Sequence, residues 1–345
     1  MKPSTSIAVL SALSRALPCA MFGWLVAVAG AAPARALQSA QAAPPLAQVT
    51  TGGGQAAQEK PAPRDLYDEA ADANVVVAAA VARAARDNKR VLLQWGADWC
   101  GWCHLLNDAF KKDSKLARKL MYEYEVVHVD IGKWDKHLDL AAKLGAGFKG
   151  TGVPYLTILD GRGVPLVNTE SGVFECPDPG NGLRHDPEKL LAFLTLYEAK
   201  QRDSAELYSA ALTDAAKSDR VALVTFGAPW CGWCHRFEDW ARSEAVAPVL
   251  GKDFVFTKID VDRTIGGKEL LAQLRGPKES GIPWFAFVDG NGKVLATSTT
   301  ADGSNLGCPW SPEEKAAFEV LLTAHSKRVS AAERGAMLAL LGEQK

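Results

Sequence analysis

VLLQWGADWCGWCH (Val91–His104) runs a short apolar segment straight into two cysteines separated by two residues, and VALVTFGAPWCGWCH (Val221–His235) does so again. The hexapeptide WCGWCH at Trp99–His104 returns unchanged at Trp230–His235. Two cysteines at this spacing, followed by histidine, fit either thiol–disulfide exchange or covalent haem attachment with the histidine on iron. What surrounds the motifs decides between these chemistries.

The repeat is larger than the motif. Cys100 to Cys231 is a shift of 131, and GVPYLTILDGRG (Gly152–Gly163) matches GIPWFAFVDGNG (Gly281–Gly292), with Pro154 to Pro283 a shift of 129. Spacing kept across several elements marks a duplicated domain. In each copy a helical pattern (68–89; 204–219) precedes the apolar run (Val91–Trp95; Val221–Phe226), which reads as a buried strand. A charged amphipathic helical segment follows the cysteines, HLLNDAFKKDSKLARKL in one copy and HRFEDWARSEAVAPVL in the other. A second buried strand, an intervening helix and a strand–Asp-Gly turn–strand hairpin come next. Asp186-Pro187-Glu188 and Ser311-Pro312-Glu313 then mark the start of a closing helix, a capping residue with proline at the first helical position. That order predicts an α/β architecture in each copy, a mixed central sheet flanked by helices on both faces.

Composition agrees with two globular domains. The chain has 345 residues, 48% hydrophobic and 23% charged, enough for two cores. A formal net charge of −1 gives no reason to expect nucleic acid or an anionic membrane surface as partner. Residues 1–36 read as an export signal: Lys2 and Arg15, the apolar LPCAMFGWLVAVAGAA, and Ala34-Arg35-Ala36 as a cleavage site. An uncleaved anchor is the alternative, although alanine and glycine make the segment weakly apolar for a permanent span. Residues 37–64, rich in Ala, Gln, Pro and Gly, read as a disordered tether. The mature form is then expected to lack a membrane span and to be periplasmic or secreted, where disulfides persist.

Strand, Trp-Cys-x-x-Cys, helix, then Val-Pro or Ile-Pro about fifty residues on and a hairpin, resembles the thioredoxin fold. The likeness covers both copies, 65–200 and 201–345, and the Gly-Trp dipeptide with its trailing histidine looks most like thioredoxin-like thiol–disulfide oxidoreductases of bacterial envelopes. A cysteine at the first turn of a helix has its thiolate favoured by unpaired N–H groups and the helix dipole. On this reading Cys100 and Cys231 are exposed nucleophiles, Cys103 and Cys234 are resolving thiols, and Gly101 and Gly232 let the chain enter the helix tightly. The resemblance implies cis peptides before Pro154 and Pro283, with Val153 and Ile282 offering a backbone edge to an extended substrate. Val153 and Ile282 also favour reduction or isomerisation over oxidation, as in reducing members. Trp102 and Trp233 are expected as an apolar docking surface, and Trp99 and Trp230 either as part of it or as core. The partners implied are cysteine-containing protein substrates and an upstream thiol donor, with no cofactor and no metal.

Other readings remain. A dihaem cytochrome would use His104 and His235, but the motifs follow buried strands and methionine ligands are scarce: Met121 and Met337 do not recur at the repeat spacing. A metal site is incomplete with two thiolates and one imidazole, and the histidines are expected to face solvent. A non-catalytic peptide-binding chaperone or metal carrier is the opposing class. One departure from the family bears on rate: thioredoxin's buried aspartate, six residues before the first cysteine, is here Gln94 or Thr225. Either another group serves, with His128 and Lys258 on the next strand as candidates, or the resolving step is slow. Cys176 and Cys308 are left as auxiliary thiols, as an interdomain bridge, or as unpaired buried thiols.

Overall fold

A computed structural model describes residues 65–180, 182–276 and 280–342. The expected export signal and tether lie outside the described residues. In the first copy α1 (Ala73–Asp87) leads into β1 (Arg90–Gly96), α2 (Gly101–Lys112), α3 (Ser114–Glu123), β2 (Tyr124–Asp130), α4 (Leu138–Leu144), the hairpin β3 (Tyr155–Leu159) and β4 (Pro165–Glu170), a short ribbon β5 (Glu175–Pro177) and β6 (Leu183–His185), and α5 (Pro187–Tyr197). The sheet order is β2-β1-β3-β4, with β1 parallel to β2 and antiparallel to β3. Strand alternation sends Val91, Leu93 and Trp95 to a core with α1 and α4, and Leu92 to a second core with α2, α3 and α5.

The second copy repeats the frame with α6 (Ser204–Ser218), β7 (Val221–Gly227), α7 (Gly232–Arg242), α8 (Ala247–Leu250), β8 (Phe254–Asp260), α9 (Gly267–Arg275), β9 (Trp284–Val288), β10 (Val294–Thr297) and α10 (Pro312–His325). Its sheet order, β10-β9-β7-β8, is the same arrangement. A further helix, α11 (Ala331–Ala339), follows the one expected to close the domain; Trp240 donates to the Met337 carbonyl (2.7 Å) and so holds it to α7.

Capping explains where the helices begin and break. Asp72 and Asp203 accept from N–H groups in the first turns of α1 and α6, and Ser311 makes a full capping box on α10. The amphipathic segment read as one helix after Cys103 is two. Asp113 leaves the helical conformation and accepts from the Lys115 and Leu116 N–H groups (3.0 and 2.9 Å), starting α3 afresh.

The two copies touch. Arg263, just after β8, donates to both carboxylate oxygens of Glu123 (3.1 and 2.8 Å) and to the carbonyls of Asp87 and Asn88. Tyr122 donates to Asp262 (2.8 Å), and Arg242 pairs with Asp87 at 3.6 Å.

Candidate active sites

Each dithiol sits where a central strand hands over to a helix. Cys100 and Cys231 are the N-cap residues of α2 and α7, with extended backbones. Each Sγ accepts from the N–H of the second cysteine at 3.1 Å, using one of the orphan donors of the first turn. Both pairs are disulfide-bonded, with Cα atoms 5.3 and 5.2 Å apart. The expectation of exposed nucleophiles needs correction: Cys100 and Cys231 are each only 5% exposed, and Cys103 and Cys234 are buried behind them. The lid is the proline loop. The Val153 and Ile282 carbonyl oxygens lie 3.6 Å from Cys100 Sγ and Cys231 Sγ, and the Val153–Pro154 and Ile282–Pro283 peptides are cis.

The glycines that matter sterically are not those between the cysteines. Gly101 and Gly232 are exposed, and a Cβ there would meet nothing within 4 Å, so the tight-entry reading of these residues is withdrawn. Gly96 and Gly227, at the ends of β1 and β7, are pressed against the dithiols instead. A Cβ on Gly96 would stand 2.5 Å from Cys103 Sγ, and one on Gly227 3.0 Å from the Cys234 Cβ.

Tryptophans form the rim. Trp99 and Trp230 are more than half exposed, at 54% and 57%, which removes the core alternative for both. Trp99 donates to the Gly132 carbonyl (2.7 Å) beside the Trp134 ring, and Trp230 to Asp262 Oδ2 (2.9 Å), the same oxygen that Tyr122 bonds. Trp233 is exposed, edge-on to Trp310 with Arg236 over both rings. Trp102 is half-buried against the ring of His185.

The trailing histidines do not face solvent as expected. His104 and His235 are half-buried, and each engages its Nε2 with a backbone carbonyl before the motif, of Asp98 (2.9 Å) or Pro229 (2.8 Å). A nitrogen spent this way is not offered to a haem iron.

Behind the sulfurs the copies diverge. In the first, buried Gln94 donates to the Tyr67 hydroxyl (2.8 Å) and to the Cys103 carbonyl (3.2 Å). His128, its neighbour in register, stands edge-on to Tyr67; burial, helped by Lys111, pushes its pKa down to about 4. In the second copy Thr225 is opposite Lys258, and Lys258 bonds the buried carboxylate of Glu238 at 2.8 Å. Burial raises the Glu238 pKa against the pull of Lys258 and Arg242.

Nothing in the spacing of Tyr67, His185 or Trp310 marks them as site residues. Glu238 alone carries a signal, a carboxylate one helical turn beyond Cys234 and so on the same helix face. Cys176 and Cys308 are free thiols, so the interdomain bridge is not formed. Cys176 lies on the β5–β6 ribbon opposite Arg184; Cys308 packs on the core of the second copy that holds Trp240 and Phe318, and burial pushes its thiol up to about 11. Among the described residues no three His, Cys, Asp or Glu side chains converge as a metal-ligand set, and no helix is long and apolar enough to cross a membrane.

A parallel–antiparallel sheet with a Cys-x-x-Cys pair capping the helix after its central strand, made twice, defines a tandem protein of thioredoxin architecture. A thioredoxin-like family model matches residues 72–161 and 204–290, about half the chain, and the protein belongs to that family. The protein disulfide-isomerase erp38 of Neurospora crassa is 28% identical over 191 residues, covering 53% of this chain and 47% of that protein. The protein disulfide-isomerase tigA of Aspergillus niger is 27% identical over 210 residues, covering 59% and 52%. The chain thus spans about half the length of these curated relatives. A disulphide isomerase structure from Xylella fastidiosa is 32% identical over 31% of this chain and 80% of its own, with a TM-score of 0.29.

Proposed function

We propose that the protein is an exported thiol–disulfide oxidoreductase, working as reductase or isomerase on cysteine-containing proteins and recharged by a thiol donor. The observation that carries this reading is the N-cap position of Cys100 and Cys231, each sulfur accepting an N–H bond from its partner cysteine. The same bond that meets the sulfur in the disulfide stabilises a thiolate after reduction. The thiolate attacks a substrate disulfide, forming Cys100–S–S–substrate and releasing the other substrate sulfur as a thiolate. Cys103 then attacks Cys100 Sγ, the second substrate thiol leaves, and the enzyme disulfide holds the two electrons' worth of oxidation. The rim suits a protein substrate: the Val153 and Ile282 carbonyls, just before the cis prolines, offer a backbone edge beside the sulfurs, and Trp99, Trp102, Trp230 and Trp233 offer apolar contact. Export rests on residues 1–36, and the disulfide-isomerase names of the curated relatives fit an oxidising compartment.

Insulin reduction with dithiothreitol tests the activity. The wild-type chain is expected to accelerate precipitation of the insulin B chain, and the variant with Cys100, Cys103, Cys231 and Cys234 all changed to serine to match the uncatalysed rate. Equal rates for the two proteins would instead favour the peptide-binding module.

A further inference from the structure

Trp230, immediately before Cys231, stands exposed at the rim of the second dithiol, and whatever fixes its ring decides the surface a substrate meets. The two copies fix this ring differently. Gly132 and Asp262 are matching positions, each two residues beyond the aspartate that ends β2 or β8. In the first copy Trp99 donates to the Gly132 carbonyl, a backbone acceptor within its own domain. In the second, Trp230 donates to a carboxylate, Asp262 Oδ2 (2.9 Å), and a side chain must lose rotamer freedom before it can serve as an anchor. Two further groups hold that carboxylate. Lys268 reaches Oδ1 at 3.2 Å, but its side chain is 69% exposed, and a pair so open to water constrains little. The other is Tyr122 of the first domain. Its hydroxyl donates to the same Oδ2 at 2.8 Å, from a buried ring covered by the Arg118 guanidinium 4.0 Å from its centre.

The interface itself delivers that hydroxyl. Tyr122 and Glu123 are neighbours at the end of α3, and Asp262 and Arg263 are neighbours after β8, so the buried Glu123–Arg263 pair sets the register that brings Tyr122 to Asp262. The backbone N–H groups of Asp262 and Arg263 are held in turn by Asp260 Oδ1 (2.9 and 3.0 Å). Burial works to raise the Asp262 pKa, yet the bonds from Trp230, Tyr122 and Lys268 hold it below the ordinary carboxylate value, so all three donors meet a charged acceptor. We propose that Tyr122 is a positioning residue of the second active site: through Asp262 it fixes the Trp230 ring, against which a disulfide-bearing protein segment docks at Cys231. The first domain thus completes the substrate rim of the second, whereas the Trp99 ring of the first is anchored within its own domain. The inference rests on the oxidoreductase reading above. It makes the two dithiols unequal in substrate capture, the second depending on its docked neighbour.

Two readouts on the full chain test it, both with Tyr122→Phe, which removes only the hydroxyl. The first is exchange of the Trp230 indole proton with water, followed by NMR and assigned through Trp230→Phe. Tyr122→Phe is expected to speed it about twofold to tenfold, the loss of one hydrogen bond, and to leave the Trp99 indole unchanged. Unchanged exchange at Trp230, or equal acceleration at Trp99, overturns the proposal. The second is single-turnover reduction of a synthetic peptide closed by one disulfide, using reduced protein that carries Cys100→Ser and Cys103→Ser. Tyr122→Phe is expected to raise the half-saturating peptide concentration about twofold to tenfold. The limiting rate, and the rate with hydroxyethyl disulfide, which has no chain to lie on the rim, are expected to stay as they were. With Cys231→Ser and Cys234→Ser instead, peptide saturation of the first dithiol is expected not to move. Unchanged half-saturation at the second dithiol, or the same rise at the first, overturns the proposal. A parent that reduces neither disulfide sinks the oxidoreductase reading instead, and the indole exchange still decides whether Tyr122 holds Trp230.

Discussion

Arg263 and Glu123 meet across the domain boundary in a two-pronged ion pair, 3.1 and 2.8 Å long, with the two residues only 6% and 8% exposed. The guanidinium also donates to the carbonyls at the end of α1, so four of its N–H groups are taken up by the first domain. A pair this buried gives little net stability over an apolar substitute, yet removing one member strands the other charge without solvent. Glu123→Ala is expected to cost about 3–5 kcal/mol in urea unfolding and to separate the domain transitions, whereas Glu123→Ala combined with Arg263→Met is milder. An equal cost for the single and double variants would show that the pair does not hold the domains together.

Acid is expected to weaken the fold through two histidines. Burial holds His128 and His185 down to about 4, below the 6.5 they take in the unfolded chain. A group whose native pKa lies below its unfolded one binds more protons when unfolded, so stability rises with pH through that window. The contribution is therefore intact above about pH 6.5 and lost as the pH falls towards 4, roughly 2 kcal/mol for each ring. Denaturant titrations at pH 7 and pH 4.5 measure it. His128→Leu should flatten the difference by about that amount, and an unchanged pH dependence would show that His128 is not held neutral.

The frame of both domains was legible because period and spacing carry it: two apolar runs, two cysteine pairs, two prolines and two Asp-Gly turns at nearly the same offset. Helix starts were readable at Asp186 and Ser311, where a capping side chain precedes proline. The break at Asp113 was not, because KKDSK keeps helical charge spacing and only the cap bonds reveal a new start. Burial of the first cysteines also escaped, since it comes from a proline loop some fifty residues away. The divergence behind the sulfurs lies deeper still. Gln94 and Thr225 show what is missing from the strand, but Tyr67 enters from the N-terminal end of the domain and Glu238 from the helix, and no local pattern connects them to the cysteines. Side chains converging from separate elements are what a single sequence hides best.

Gly96 gives the sharpest contrast between position in the motif and position in space. The glycine inside the motif, Gly101, is helical and open, so Gly101→Ala should preserve the dithiol and stabilise α2 by up to about 1 kcal/mol, alanine being the better helix former. Gly96 lies outside the motif, yet an added methyl would stand 2.5 Å from Cys103 Sγ, and the Tyr67 hydroxyl closes the other side. Both neighbours are fully buried and the tyrosine is tied to Gln94, so neither can step aside freely. Gly96→Ala is therefore expected to destabilise the first domain by about 1–3 kcal/mol, the cost of overpacking, and to shift its dithiol–disulfide equilibrium while leaving the second unchanged. Redox titration of each dithiol against glutathione, with the other pair replaced by serine, measures this. A Gly96→Ala protein with both equilibria and the unfolding midpoint intact would mean that the strand end does not press on the resolving sulfur.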